Sequence, residues 1–514
     1  MKRGPNKVPR GGALLAKATL RLGCSVAFVC SVVLAGCEPS ASIHDDSGVT
    51  AADPQEDTTQ QDTTTQDDTS EDTTADTAEP IDWDERLAPL LEAAGAEPIE
   101  RRDDLDPNKI ELGRMLFFDP ILSGNRDTAC VTCHRLDEGT TVHRSFVVGT
   151  KAVIRDGKRM PGPDHAFLPR NPPTLFNLGE PYTTSLLWDG RVTKNSEGHF
   201  VIYDKGWEES QSNYLRLLSP VLDDLLAAQT MMPVLPRDEM RGDYGELDVN
   251  GELNELAQVP DHDLDSVWMK LTERLLAVEG YRELFEKVYP DVPLDEIEFA
   301  HATNAFSAFF VDAFTHGDSP FDGYLRGDED ALTEQQKQGA YLFFGEAGCA
   351  KCHTGPALTD EKLYNIGVRP IGSGPDEHYE IDLGAVLRSH AGEDKKFAFR
   401  TPSLRNVELS GPWMHNGAYT TLEAAVRHHL DPKSALWDYD VSQLDTEFQR
   451  YVHTREEAIR SVEATLEPMA VLELSDAEVD ALVAFLESLT SPSARDLGHL
   501  EPESVPSGLA IPDP

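Results

Sequence analysis

Two pentapeptides concentrate the chemistry of this chain: Cys130-Val131-Thr132-Cys133-His134 and Cys349-Ala350-Lys351-Cys352-His353. The pattern Cys-x-x-Cys-His marks covalent attachment of a c-type haem. Thiols at i and i+3 lie on one side of a helical turn, where each can add to one porphyrin vinyl group. The following His134 and His353 can then each bind an iron through an imidazole nitrogen. A zinc site would need four ligands, and no partner His or Cys pair lies at finger spacing. The chain has seven cysteines: four fall in these motifs, and Cys24, Cys30 and Cys37 lie in the first 37 residues. The sequence therefore predicts two covalently bound haem c groups and no disulfide framework in the body of the protein.

The elements that must hold these motifs read as helices. Leu87, Leu90, Leu91 and then Ile110, Leu112, Met115, Leu116 recur at helical spacing, and Asp106-Pro107 supplies a cap and a first-turn proline. Further helical runs cover 214–231, 264–288, 297–314, 333–344, 422–430, 455–466 and 476–489, the last capped by Ser475. Long alternating strand patterns are lacking, and residues 135–200 are rich in loops. The expected fold is mostly α, with two c-type cytochrome domains in tandem and long loops. An N-terminal haem domain spans 83–325, a C-terminal one 326–495, and a tail 496–514.

The first 37 residues read as an export leader. Lys2, Arg3, Lys7, Arg10, Lys17 and Arg21 precede an apolar run too short for a good membrane span. The run ends Leu34-Ala35-Gly36-Cys37, a pattern similar to the lipobox of bacterial lipoproteins, so Cys37 is the expected lipidation site. Residues 38–82 hold 14 Asp and Glu and no Lys or Arg, with little apolar to bury, and read as a disordered acidic tether. The expected location is the periplasmic side of a bacterial envelope, with the membrane met only through the lipid anchor. Net charge is −46, of which −38 falls on residues 83–514. Such acidity argues against nucleic-acid binding and suits a basic soluble partner.

Markers spread along the chain resemble the bacterial di-haem cytochrome c peroxidases and their relative MauG over roughly residues 100–490. They include Gly113-Arg114-Met115-Leu116-Phe117-Phe118-Asp119-Pro120, Arg170-Asn171-Pro172-Pro173-Thr174-Leu175-Phe176-Asn177 and Leu187-Trp188-Asp189-Gly190-Arg191. In the second half stand Ser319-Pro320-Phe321-Asp322, Thr401-Pro402-Ser403-Leu404-Arg405-Asn406 and Pro412-Trp413-Met414-His415-Asn416-Gly417.

The resemblance implies a division of labour: the His134 haem meets peroxide and the His353 haem passes electrons. Family peroxidases hold a distal His on the first iron, just after a glycine. The matching place here, Gly149-Thr150-Lys151, has none. Two readings follow: an open iron, as in MauG, which is preferred, or closure by His165 or His143 from the loop region. Gln229 and Glu239 match the family's distal pair, with Glu239 as acid/base for O–O cleavage and Gln229 as a positioning donor. Trp188 matches a tryptophan between the haems. On the second iron the residue opposite His353 falls at His429, where peroxidases carry Met and MauG carries Tyr; His428 and Met414 are its rivals. A calcium ion is implied between the domains, on the Asn171 side chain and the carbonyls of Ser410 and Pro412. The stretches 151–170 and 201–260 look inserted and receive no role.

The resemblance thus implies reduction of hydrogen peroxide to water, with electrons from a small cytochrome c or cupredoxin. A MauG-like oxidation of Trp or Tyr residues on a protein substrate is the first alternative. A di-haem electron carrier without peroxide chemistry is the second.

Overall fold

Two glycines mark where the helices cross most closely. The structure, a computed structural model, describes residues 81–512 apart from 164, 180, 203–220, 375–379 and 388–390. The leader, Cys37 and the tether up to residue 80 lie outside the described residues. The helix Pro107–Phe118 starts as expected, with Asp106 accepting from the backbone of Asn108 and Pro107 at the first position. It packs against the helix Phe299–Phe314, which is buried along nearly its whole length. A helix apolar all round belongs inside a core. A Cβ on Gly113 would lie 2.0 Å from the Ala305 carbonyl oxygen, so only glycine permits this crossing.

The same device recurs in the second half. Thr333 and Gln336 form a capping box on the helix Glu334–Phe344, and Ser475 and Glu478 form another on Asp476–Glu487. These helices cross where a Gly339 Cβ would lie 1.8 Å from the Ala481 carbonyl oxygen. Gly113 opens Gly-Arg-Met-Leu-Phe-Phe and Gly339 opens Gly-Ala-Tyr-Leu-Phe-Phe, each a short step before a Cys-x-x-Cys-His motif. The paired phenylalanines anchor two apolar cores: Phe117 against Phe309, Phe310 and Phe314, and Phe343 and Phe344 against Phe485. Each such fully buried ring contributes roughly 1.5–3 kcal/mol.

Cys130 and Val131 pack on the first core, Cys349 and Ala350 on the second. The chain ends cross over. The helix Trp83–Ala94 packs on Glu334–Phe344 in the second core, while Ala494, Leu497, Leu500 and Val505 of the C-terminal tail join the first. Arg405 and Asp322, each 1% exposed and 3.0 Å apart, pin the Thr-Pro-Ser-Leu-Arg-Asn segment to the Ser-Pro-Phe-Asp cap. Such a buried pair costs far more to break on one side than it contributes when whole.

Elsewhere the helices are shorter than their sequence patterns. The run 264–288 is two helices, Leu264–Leu276 and Glu279–Val288, broken at Ala277 and Val278. Of the run 214–231 only Leu225–Thr230 is described as helix, residues 214–220 being outside the described part. Strand structure is confined to three small antiparallel sheets, so the described chain is mostly α. One is the hairpin Ala152–Arg155 with Lys158–Pro161, turning on Asp156 and Gly157, both at positive φ. Asp-Gly is the two-residue turn that such a hairpin demands.

Candidate functional site

Each motif folds into a single tight turn, α-helical over Cys130–Cys133 and 3-10 over Cys349–Lys351. The amide of His134 donates to the Cys130 carbonyl at 3.0 Å, and that of His353 to Cys349 at 2.9 Å. The imidazole Nδ1 of His134 faces the Thr140 carbonyl at 2.9 Å, and that of His353 faces Leu358 at 3.1 Å. Each pairing orients the ring and leaves Nε2 to bind a metal. Burial pushes both imidazoles down to about 4, so both are neutral and suited to ligation. Among the described residues no three His, Cys, Asp or Glu side chains converge on a metal-sized site, so neither cysteine pair has the further ligands zinc requires.

The second motif offers a metric test of haem fit. The ring centroids of His353 and His429 lie 6.4 Å apart, with the ring planes at 67°. A metal–imidazole bond of about 2 Å on each face of one iron, plus roughly 1 Å from nitrogen to ring centre, gives about 6 Å. His429 uses Nδ1 on the Ala425 carbonyl at 2.8 Å. His428, its rival, has both nitrogens engaged: Nδ1 with the Tyr419 hydroxyl at 2.7 Å and Nε2 with the Ile366 carbonyl at 2.8 Å. Met414 packs in another apolar cluster, with Ala418, Tyr419 and Phe448 among its members.

Beside the first motif stands Glu239, on a single π-helical turn, Arg237–Arg241. π-turns of this kind recur at functional sites. Glu239 is half-buried by area, yet protein surrounds its carboxyl, and desolvation pushes it up to about 7 while the Arg191 guanidinium holds it down. Its charge reaches Cys130 and Cys133, and Arg159 from the hairpin also acts on Cys133. Gln229 sits at the C-terminal end of Leu225–Thr230, and no hydrogen bond joins it to Glu239. Arg191 and Arg159 were not singled out from the sequence. Arg191 closes the Leu-Trp-Asp-Gly-Arg marker, which could have pointed to it; Arg159 carries no sequence signal.

The two loop histidines have other partners. Both ring nitrogens of His165 face carboxylates, Nε2 at 2.8 Å from Glu246 and Nδ1 at 3.4 Å from Asp238. Nε2 of His143 faces the Leu409 carbonyl at 3.3 Å.

Trp188 joins segments from both halves of the chain. Its indole donates to the Asn171 carbonyl at 2.7 Å, and its own carbonyl accepts from Arg400 at 2.7 Å. Beneath it Arg170 bridges Asp189 and Asp382, each at 2.6 Å, and the guanidinium holds the buried Asp382 carboxyl below the usual range. The Asn171 side chain is buried, with Nδ2 donating to the Pro412 carbonyl at 2.9 Å and Oδ1 lacking any partner. Exchanging O and N in that amide would aim two oxygens at one point. Such an oxygen pair suits calcium. Ser410 lies two residues from Pro412 in the same segment, and its amide donates to Val407 at 3.2 Å.

Comparison with known proteins agrees with these motifs. Residues 107–330 match the family model described as di-haem cytochrome c peroxidase. The methylamine utilization protein MauG of Methylorubrum extorquens is 30% identical over 334 residues, covering 65% of this chain and 71% of that protein. The cytochrome c551 peroxidase of Nitrosomonas europaea is 28% identical over 340 residues, covering 65% of this chain and 77% of the relative. Among solved structures, a MauG-like protein associated with microbial copper homeostasis aligns with a TM-score of 0.49 and 25% identity, over 78% of this chain and 94% of that one. The chain belongs to the di-haem cytochrome c peroxidase and MauG family of oxidoreductases, whose members carry two c-type haems.

Proposed function

We propose that this protein reduces hydrogen peroxide to two waters, taking two electrons from a small periplasmic redox protein. The observation that carries the reading is Glu239: a carboxyl enclosed beside Cys130 and Cys133, with its protonation balanced near neutrality. A group poised near 7 can both accept and return a proton at working pH. When bound, the two haems supply the redox-active irons and the route for the electrons.

The side chains do the rest. With the haem bound, ionised Glu239 would take the proton from one oxygen of peroxide and deliver it to the other, which leaves as water as the O–O bond breaks; the remaining oxygen becomes the second water on receiving the two donor electrons and two protons. Gln229 is the positioning donor, and against the desolvation that raises the Glu239 carboxyl the Arg191 guanidinium pulls it back down. Trp188, fixed through its indole N–H and its backbone, serves as relay between the halves. His353 and His429 would hold the iron of the electron-transfer haem, a role that their ring centroids 6.4 Å apart support. Asn171 with the carbonyls of Ser410 and Pro412 would hold calcium, a role supported by the side-chain amide lying 2.9 Å from the Pro412 carbonyl. The two apolar cores support reading 83–325 and 326–495 as haem domains, with their outermost segments exchanged. The leader sequence ending at Cys37 supports a lipid-anchored protein on the periplasmic side.

A MauG-like oxidation of a partner protein is the second reading. It is favoured by His429 standing where the peroxidases carry Met, and by His165 turning both nitrogens to carboxylates. Steady-state turnover separates the two. Peroxide-dependent oxidation of a reduced small cytochrome or cupredoxin at tens of turnovers per second is the expected result. Turnover below one per minute with every such donor, together with a hydroxylated or crosslinked Trp on a co-purified protein, would transfer the assignment to the second.

A further inference from the structure

We propose that His165 is a positioning residue for Glu239: it fastens the loop after the 152–161 hairpin to the π-turn and to the segment leading into the first haem motif. This rests on the reading of Glu239 as the proton-transfer group. Unlike a typical loop histidine, the His165 side chain is 2% exposed. Burial of an imidazole needs partners, and here they are specific. Nε2 hydrogen-bonds Glu246 at 2.8 Å, with Asp243 at 3.9 Å, while Nδ1, which makes no hydrogen bond, stands 3.4 Å from Asp238, the residue before Glu239.

Glu246 carries the connection onward. It accepts from the Asn125 side chain at 2.6 Å and from the Asp243 amide at 3.2 Å, and Lys151 Nζ lies 4.0 Å away. Asn125 also accepts from Asn254 at 2.9 Å and stands five residues before Cys130. One imidazole thus ties together the loop, the Glu239 turn and the approach to the motif.

The turn needs this help. Its own bonds are few: Met240 and Arg241 amides to the Pro236 carbonyl, and Gly242 to Arg237. A single turn is not self-supporting. The surroundings are shaped to hold it. A Cβ on Gly149 would lie 2.1 Å from the Glu239 carbonyl oxygen and 2.3 Å from that of Asp238, while Thr150 donates to Glu239 at 3.0 Å. On the other side the Gly124 amide reaches Met240 at 2.6 Å, and Gly242 at positive φ leaves room for Asn254 and Glu246. The Arg237 guanidinium also donates to the Gly242 and Ala257 carbonyls, at 3.0 and 3.2 Å, and His165 adds the contact from the loop side, which gives the inserted stretch 151–170 a role.

The test compares His165→Ala, His165→Gln and Glu246→Gln in the full holoprotein with Glu239→Gln. Hydrogen exchange of the 239–242 amides is read beside the rate of reaction with hydrogen peroxide. Expected for His165→Ala are exchange at least tenfold faster at these amides, a peroxide reaction slower by about 100-fold, and an unchanged diferric spin state; misplacing a catalytic group by about 1 Å costs this much. His165→Gln, which keeps a donor near the Nε2 position, restores most of both, and Glu246→Gln lies between. Wild-type exchange and rate in His165→Ala would overturn the proposal, as would conversion of the first haem from low to high spin, since His165 would then be a ligand. If Glu239→Gln keeps the full rate, the acid/base reading fails instead, and the exchange data alone decide whether His165 holds the turn.

Discussion

Replacing Glu239 by Gln keeps the shape of the side chain and removes its proton exchange. General acid–base assistance contributes about 10²–10⁴ in rate, equivalent to roughly 3–5 kcal/mol of barrier. The rate of the peroxide reaction should fall by that factor. The pH dependence is more diagnostic. Desolvation raises the Glu239 carboxyl from 4.5 to about 7, and only the ionised form accepts the peroxide proton. The wild-type rate should therefore fall about tenfold per pH unit below 7, and Glu239→Gln should show no such limb. Arg191 lowers this pKa, so Arg191→Leu should move the limb to higher pH. Stability carries the opposite sign. With a folded pKa above the unfolded one, ionising Glu239 in the native state costs stability as pH rises from 4.5 to 7, so Glu239→Gln should gain up to about 3 kcal/mol above pH 7. Stopped-flow mixing of the diferric protein with hydrogen peroxide from pH 5 to 9, with thermal melts at the same values, measures both. A Glu239→Gln rate within threefold of wild type, or an acid limb that survives the substitution, would refute the reasoning.

Further outcomes are expected at three other places. His429→Ala should remove the low-spin signature of the second haem, whereas His428→Phe should keep it and lose about 1–3 kcal/mol of stability, because the Tyr419 hydroxyl and Ile366 carbonyl are left unpaired. Chelation by EGTA should depress turnover, and added calcium should restore it in wild type but not in Asn171→Ala, with titration calorimetry reporting the ion directly. Arg405→Met should cost about 3–5 kcal/mol, read as a lowered denaturant midpoint, by stranding the buried Asp322 carboxyl; adding Asp322→Leu should recover much of it.

Much of the scaffold was legible in the sequence because its signals are local. Asp106-Pro107 and Ser475 cap their helices, and the apolar run 299–314 is the buried helix of the first core. Cys-x-x-Cys-His forces its own turn, so the positions of His134 and His353 followed from spacing. What escaped depends on contacts distant in sequence. The exchange of the 83–94 helix and the tail between cores has no local signature. Arg159 and Arg191 reach the Glu239 region from separate segments, and neither periodicity nor charge count reveals that. The Asp156-Gly157 hairpin was readable from its turn residues, yet it lies in a stretch that otherwise looks like loop. The pair His428-His429 needed atoms to separate: one ring is engaged at both nitrogens, and the other turns toward His353.

The central claim is that the His134 site is open to peroxide while the His353 site is closed by His429. An electron paramagnetic resonance spectrum of the diferric protein, taken before and after adding hydrogen peroxide, tests it most directly. The account predicts one high-spin and one low-spin haem, with the high-spin signal lost on addition and no prior reduction required. Two low-spin haems unchanged by peroxide would contradict it: the first iron would then be capped, and the protein would need reductive activation or would only carry electrons.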